Sequence, residues 1–418
     1  MTQQKKLRVM ELFAGVGGFR LGLEKANKDL FDVTWANQWE PSRKVQHAFE
    51  CYIRNFPNGT HSNEDISEVP DEVFQDYASD LVVGGFPCQD YSVARSLSGE
   101  QGIQGKKGVL FWEIERVLRN THPKYVLLEN VDRLLKSPSK QRGRDFAVML
   151  ATFNHLDYVV EWRVINAADY GHAQRRRRVF IFAYKKDIVF DKEQRELSME
   201  DIVFKKGFFA KPFPVKEEPY QGRVSEIEDL PNDRVFITDN YSYGFHTAGV
   251  MRDGKFYTAH TEPVAIDPTP LRDILLDEAE VDDKYYLSEE EEKKFEYLRG
   301  AKKVERTSAS GHKYFFSEGG MSPTDSLDLP GRTMLTSEGT KNRSTHIVEV
   351  NGRKRYLTPI ECERLNGFND NWTEGMPDRM RYFCMGNALV VNLIETMGRR
   401  IEEIDKANTL EAVQLELL

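Results

Sequence analysis

The sequence predicts an α/β fold, a mostly parallel sheet covered by helices on both faces, from two observations. Through the first 185 residues short apolar runs alternate with amphipathic stretches. Each apolar run is followed by polar or glycine-rich residues, and in such folds ligands bind at the carboxyl ends of the strands.

Strands are expected at 8–13, 33–36, 81–83, 125–128, 159–164 and 179–183. Helices are expected at 19–25, 109–118 and 145–153 between them. From about 186 the pattern breaks into aromatic-rich, Gly/Pro-punctuated pieces such as GFFAKPFPVKEEPY. Within it Ser288 and Glu291 form a capping-box pair for a helix running to Arg299, with Gly300 as the stop. Regular periodicity returns near Leu357, and 390–404 reads as a closing helix. The expected division is therefore 1–185, a smaller irregular domain at 186–330, and a return segment at 331–418 that completes the first domain.

A chain of 418 residues buries a large core without staples. It has no apolar run long enough to span a membrane and no secretion signal at its start, so we expect a cytoplasmic protein. Its four cysteines, Cys51, Cys88, Cys362 and Cys384, are then reduced thiols, with no paired spacing for a metal. The net charge of −9 comes almost wholly from 273–296, where 11 acidic residues and 3 lysines stand together. The remainder is near neutral, with basic clusters at 175–178, 299–306 and 353–355, so charge neither supports nor excludes nucleic acid.

Four motifs carry chemistry. FAGVGGF, residues 13–19, is a glycine turn between strand and helix that lets backbone approach a ligand, but Arg20 breaks the dinucleotide spacing. GGFPCQDYS, 84–92, puts Cys88 at the carboxyl end of a buried strand, before a glycine-punctuated basic loop with Arg95, Lys106 and Lys107 suited to a lid. YVLLENV, 125–131, ends a buried strand on Glu129, where a raised pKa suits an acid. In QRRRR, 174–178, Arg176 and Arg178 share a face if the run enters a strand, and a guanidinium pair could hold a phosphate or a carbonyl oxygen. Taken singly these motifs leave the bland readings open: a tight turn, a buried thiol, a capping carboxylate and a solvated charge run.

Together and in this order they resemble the C5-cytosine DNA methyltransferases of the bacterial and phage restriction-modification type. RYLTPIECERLNGF at 355–368 and GNALV at 386–390 extend the resemblance over 1–185 and 330–400. It implies a Rossmann-like S-adenosylmethionine-dependent fold with 186–330 as target-recognition domain. It implies Cys88 as nucleophile at cytosine carbon 6, Glu129 acting on ring nitrogen 3, and Arg178 with Arg176 holding the base carbonyl. The base is flipped into the pocket, no metal is used, and S-adenosylhomocysteine is the product. Phe13, Gly15, Gly17, Gly18, Trp39, Asp65, Ile66, Pro87 and Asn387 are the implied cofactor residues, with Trp39 stacking on the adenine and Asp65 accepting from its amino group. The family's ribose carboxylate precedes the aromatic residue, where this chain has Gln38. We expect Glu40 to hold the ribose, with Gln38 secondary, since a carboxylate accepts from both hydroxyls. Cys384 stands where the family has Gln.

The expected partner is double-stranded DNA, touched by Gln89, Ser92, Arg95, Arg299, Lys302, Lys303 and Arg306. The enzyme is expected to act as a monomer, and the resemblance admits a restriction endonuclease acting on the same site. Three rivals remain: a tRNA-cytosine enzyme, an inactive binding homologue and a dinucleotide oxidoreductase. The long recognition segment, the intact Cys88, Glu129 and Arg178, and the broken glycine spacing weigh against them in turn.

Overall fold

The computed structural model describes residues 5–41, 43–86, 110–217, 226–308 and 311–416. Among these, ten strands form one sheet: β1 (Leu7–Leu12), β2 (Phe31–Asn37), β3 (Thr60–Ser62), β4 (Leu81–Gly85), β5 (Tyr125–Val131), β6 (Tyr158–Asn166), β7 (Arg177–Lys185), β8 (Glu228–Asp229), β9 (Ala248–Arg252) and β10 (Lys255–Ala259). Their order is β3-β2-β1-β4-β5-β7-β6-β9-β10-β8. From β3 to β5 every pairing is parallel. β7 lies antiparallel between β5 and β6, which leaves β6 running with β5. The central sheet is thus mostly parallel, as the alternation of elements predicts.

Alternate residues of these strands face opposite sides, and both sides are apolar. Val9, Val83, Leu127 and Phe182 belong to one buried cluster. Met10, Val82, Val126 and Ile181 belong to the other. Helix α1 (Gly18–Asn27) covers the first face together with the terminal helix Val391–Glu416. A Cβ on Gly22 would lie 2.5 Å from Cβ of Ile394, so these two helices pack closely. Helices at Leu110–Thr121 and Arg144–His155 place Phe111, Ile114, Phe146 and Leu150 in the second cluster. The shorter helices α2 (His47–Asn55) and α3 (Asp71–Tyr77) complete the amino-terminal half.

Strands β9, β10 and β8 continue the sheet antiparallel from β6. They lie inside 186–330, so this stretch contributes strands to the main sheet as well as irregular structure. Further along the same stretch the capping box of Ser288 and Glu291 starts the helix Glu289–Arg299, and Gly300 ends it, as expected. A separate hairpin follows, β11 (Lys302–Thr307) with β12 (Lys313–Glu318). A second small pair is β13 (Ile347–Val350) with β14 (Arg353–Tyr356). Among the described residues no helix is long and apolar enough to cross a membrane.

Candidate active site

The carboxyl ends of β1, β2, β4 and β5 converge on one edge of the parallel sheet. After β1 the chain enters FAGVGG with Phe13 at φ +54°, Gly15 at +56° and Gly17 at +90°. A bulky residue in that region is uncommon and costs about 1–3 kcal/mol, a strain that clusters at ligand sites. A Cβ on Gly17 would lie 2.4 Å from Cε2 of Phe56, so the turn closes against α2. A Cβ on Gly15 would have nothing within 4 Å, which leaves the backbone open to a ligand there. Gly17 is the N-cap of α1 and brings no side chain, so the first-turn N–H groups of the helix are not capped from it.

β2 runs into Gln38, Trp39 and Glu40. Gln38 Oε1 accepts from the Gly15 N–H at 2.7 Å, so its acceptor braces the glycine loop. Trp39 is half-buried and belongs to neither apolar cluster. Glu40 Oε2 is buried and has no hydrogen-bond partner among the described residues. Burial raises the Glu40 carboxyl above its ordinary value, against the opposing pull of Arg43 and His47. Such an orphaned oxygen is costly unless a ligand hydroxyl meets it, so the residues fit a ribose. Asp65 is half-buried and spends Oδ1 on Ser67, at 3.0 Å to the N–H and 2.8 Å to the hydroxyl. Ile66 is part of the second core cluster. Asn387 ends the helix Asp378–Asn387 and is exposed.

β4 and β5 carry the chemical end. Gly85 pairs in register with Glu129, and a Cβ there would lie 3.4 Å from Glu129 Oε2. Asn130 Nδ2 donates to the Phe86 carbonyl at 2.8 Å, fixing the chain just before Pro87 and Cys88. Pro87, Cys88, Gln89, Ser92, Arg95 and the rest of the expected lid lie outside the described residues. Arg178 Nε meets Glu129 Oε1 at 2.9 Å. Burial pushes the Glu129 carboxyl up; Arg178, then Arg176, draw it partly back, and the net shift is upward.

Arg176 is engaged with the return segment. It is buried, with its guanidinium donating to the carbonyls of Met334 at 3.1 Å and Gly386 at 3.0 Å. Burial, with Arg178 nearby, pushes its pKa down to about 9. These bonds tie the return segment to the sheet, while the Arg176 Nε is buried without a partner among the described residues and its charge draws on Glu129. Gln174 also ties that segment, with Nε2 on Asn366 Oδ1 at 2.8 Å and Oε1 receiving the Met334 N–H at 3.0 Å. The three other cysteines are all buried, with burial raising Cys51 to about 12 and driving Cys362 and Cys384 further up. Such thiols are inert.

On the expected DNA side, Arg299 is corrected by its burial from its expected place at the DNA surface. It is 1% exposed, and its guanidinium is spent on Asp325 at 2.8 Å and on the carbonyls of Ser322, Pro323 and Thr345. It anchors the end of its helix. Lys302 is half-buried, donating to the Leu298 carbonyl at 2.9 Å. Lys303 and Arg306 are exposed on β11, lying over the rings of Phe315 and Phe316. Lys313, a further basic residue that the sequence offers in this segment, is exposed on β12 together with Tyr314 and Phe315, and it is these two rings that the sequence did not single out. KYFF is a short aromatic run beside Gly311, a composition that fits a strand next to a turn but does not tell which rings face solvent.

Fold and site together define a Rossmann-like transferase class, with an open glycine loop and an orphaned carboxylate oxygen at the β1 and β2 ends and an acid on β5. The chain belongs to the C-5 cytosine-specific DNA methylase family, whose profile matches residues 7–403. It is a DNA cytosine-5 methyltransferase that uses S-adenosylmethionine. It is 60% identical to the type II methyltransferase M.Sau3AI of Staphylococcus aureus, over 99% of both chains. It is 28% identical to the type II methyltransferase M.HhaI of Haemophilus parahaemolyticus, over 94% of both. The fold resembles the solved Dnmt2 methyltransferase of S. pombe, with TM-score 0.59 and 17% identity, over 96% of this chain and 99% of that one. A Spodoptera frugiperda DNMT2 mutant superposes with TM-score 0.59 at 13% identity, over 96% and 99%.

Proposed function

We propose that the chain methylates carbon 5 of one cytosine in a specific duplex DNA sequence, on a base flipped out of the helix, through a covalent adduct with Cys88. The observation that supports this best is the half-buried Glu129–Arg178 pair beside Gly85, two residues before Pro87. Bound S-adenosylmethionine supplies the methyl group. The Cys88 thiolate adds to carbon 6, and the electron pair of the carbon 5–carbon 6 double bond moves into the ring. Glu129 donates a proton or hydrogen bond to nitrogen 3, where charge develops. Arg178 orients Glu129 and faces the base carbonyl. Carbon 5 takes the methyl group, its proton leaves, and the returning electron pair expels the Cys88 thiolate.

Phe13, Gly15, Gly17, Gly18, Trp39, Glu40, Asp65, Ile66, Pro87 and Asn387 would hold the cofactor. Glu40 takes the ribose, because the Gln38 acceptor is already committed to Gly15. Glu40→Ala is expected to weaken S-adenosylmethionine binding roughly tenfold or more, the scale of hydrogen bonds to a charged group. Gln38→Ala should cost less. Calorimetry on both variants decides, and the reverse order would give the ribose to Gln38.

Target choice resides in 186–330, with the hairpin β11–β12 as its DNA-contacting part. An isolated two-stranded hairpin is marginal in water, and this one exposes Lys303, Arg306, Lys313 and Phe315. Duplex DNA would complement that charge. The acidic stretch 273–296 should face away. Bisulfite sequencing of a methylated random-sequence library should show one fixed site around the modified cytosine. Lys303→Ala or Arg306→Ala relaxes that site at one position if the side chain reads a base, by about 1–3 kcal/mol. An even loss over all sequences with a smaller salt slope would make them phosphate clamps, and unchanged methylation would place recognition elsewhere. The names of the relatives support a type II restriction-modification setting. The chain would act there as a monomer in the cytoplasm, beside an endonuclease for the same site.

A further inference from the structure

We infer that Trp372 is a positioning residue for cofactor binding, locking the glycine loop from the carboxyl-terminal side of the chain. This rests on the proposal that residues 13–18 hold S-adenosylmethionine. The Trp372 indole N–H donates to the Val16 carbonyl at 2.8 Å, and both residues are buried. Val16 sits between Gly15 and Gly17, both in the left-handed region, so this is the part of the loop with the widest backbone freedom.

Trp372 is itself held on three sides. Its carbonyl accepts from Arg54 at 2.8 Å and Asn55 Nδ2 at 3.0 Å, both on α2. Its backbone N–H donates to Glu363 Oε2 at 3.2 Å. Its ring packs against Phe368 and Phe56, each with centroids 5.5 Å apart. Phe56 is the ring that a Cβ on Gly17 would strike. The apex of the loop, α2 and the return segment therefore meet at one indole.

A peptide plane held by its carbonyl cannot rotate. Fixing Val16 C=O fixes the direction of the chain entering α1, and with it the first-turn N–H groups presented to a ligand. Without the indole donor the Val16 carbonyl is buried and unsatisfied, and the loop loses the tie that orients it. The consequence falls on cofactor affinity. Glu129 lies two strands away from β1, across β4, so chemistry on bound substrates is untouched.

The test uses the full chain and Trp372→Phe, which keeps an aromatic ring and removes the donor. The dissociation constant for S-adenosylmethionine should rise roughly tenfold, the scale of one buried hydrogen bond. The KM for DNA and kcat at saturation should stay within about twofold. Trp162→Phe is the control, because that buried indole also donates to a carbonyl, His246 at 3.2 Å, away from the loop. It should lower the melting temperature and leave cofactor affinity alone. A Trp372→Phe variant that is less stable but binds S-adenosylmethionine as before would overturn the inference. If that variant does not fold, Asn55→Ala removes one donor to the Trp372 carbonyl and should give a smaller shift in the same direction; no shift overturns the inference equally. Gly15→Val fills the open space beside the loop and separates the two levels. If it leaves cofactor affinity intact, the cofactor loop itself is misassigned, whatever Trp372 does.

Discussion

Replacing Cys88 by Ala is expected to abolish methyl transfer, by roughly 10⁴-fold or more, as when other enzymes lose a covalent nucleophile. Cofactor affinity should stay within about twofold, because the cofactor contacts proposed above come from other side chains. DNA carrying 5-fluorocytosine at the target should trap the wild-type enzyme. Fluorine cannot leave as the carbon-5 proton does, so the bond from sulfur to carbon 6 persists. Peptide mapping should find the adduct on Cys88 alone. The other thiols offer no rival route. Burial pushes Cys51 up to about 12 and Cys362 and Cys384 further up. An adduct mapped to any of those three, or a Cys88→Ala variant that still methylates, would remove Cys88 from the mechanism.

The parallel half of the sheet was legible because its strands are buried on both faces and so read as continuous apolar runs. LVV and YVLL need no partner information to be recognised. The antiparallel extension was missed although part of it was legible: Asp253 and Gly254, both at positive φ, are the two-residue turn joining β9 to β10, the pair that marks a hairpin, whereas β8 has only two residues and carries no such signal. Among functional side chains, sequence order gave candidates but not commitments. Arg176 and Arg178 look alike in QRRRR, yet one is spent on Met334 and Gly386 and the other on Glu129. Arg299 looked like a DNA contact because its neighbours are basic; only the fold shows Asp325 waiting 26 residues along. Trp372 carried no motif at all, since its partner Val16 is 356 residues away and is met through a backbone carbonyl.

Glu129→Gln is expected to keep the cofactor and lower the single-turnover rate by about 10²–10⁴-fold, the range for a lost general acid. The amide has the same shape, so binding geometry survives while the transferable proton does not. The pH dependence follows from the direction of the shift. Burial raises the Glu129 carboxyl above its ordinary value. It therefore keeps its proton at pH values where an exposed glutamate has lost it, and the rate it supports declines as pH rises through that raised value. Arg178 opposes the shift, since a guanidinium 2.9 Å away favours the carboxylate. Arg178→Met should thus lower the rate and also move the alkaline limb of its pH profile to higher pH. A purely structural Arg178 would lower the rate without moving the limb. A Glu129→Gln enzyme with an unchanged single-turnover rate would show that nitrogen 3 is served by another group, and the alkaline limb would then belong to that group.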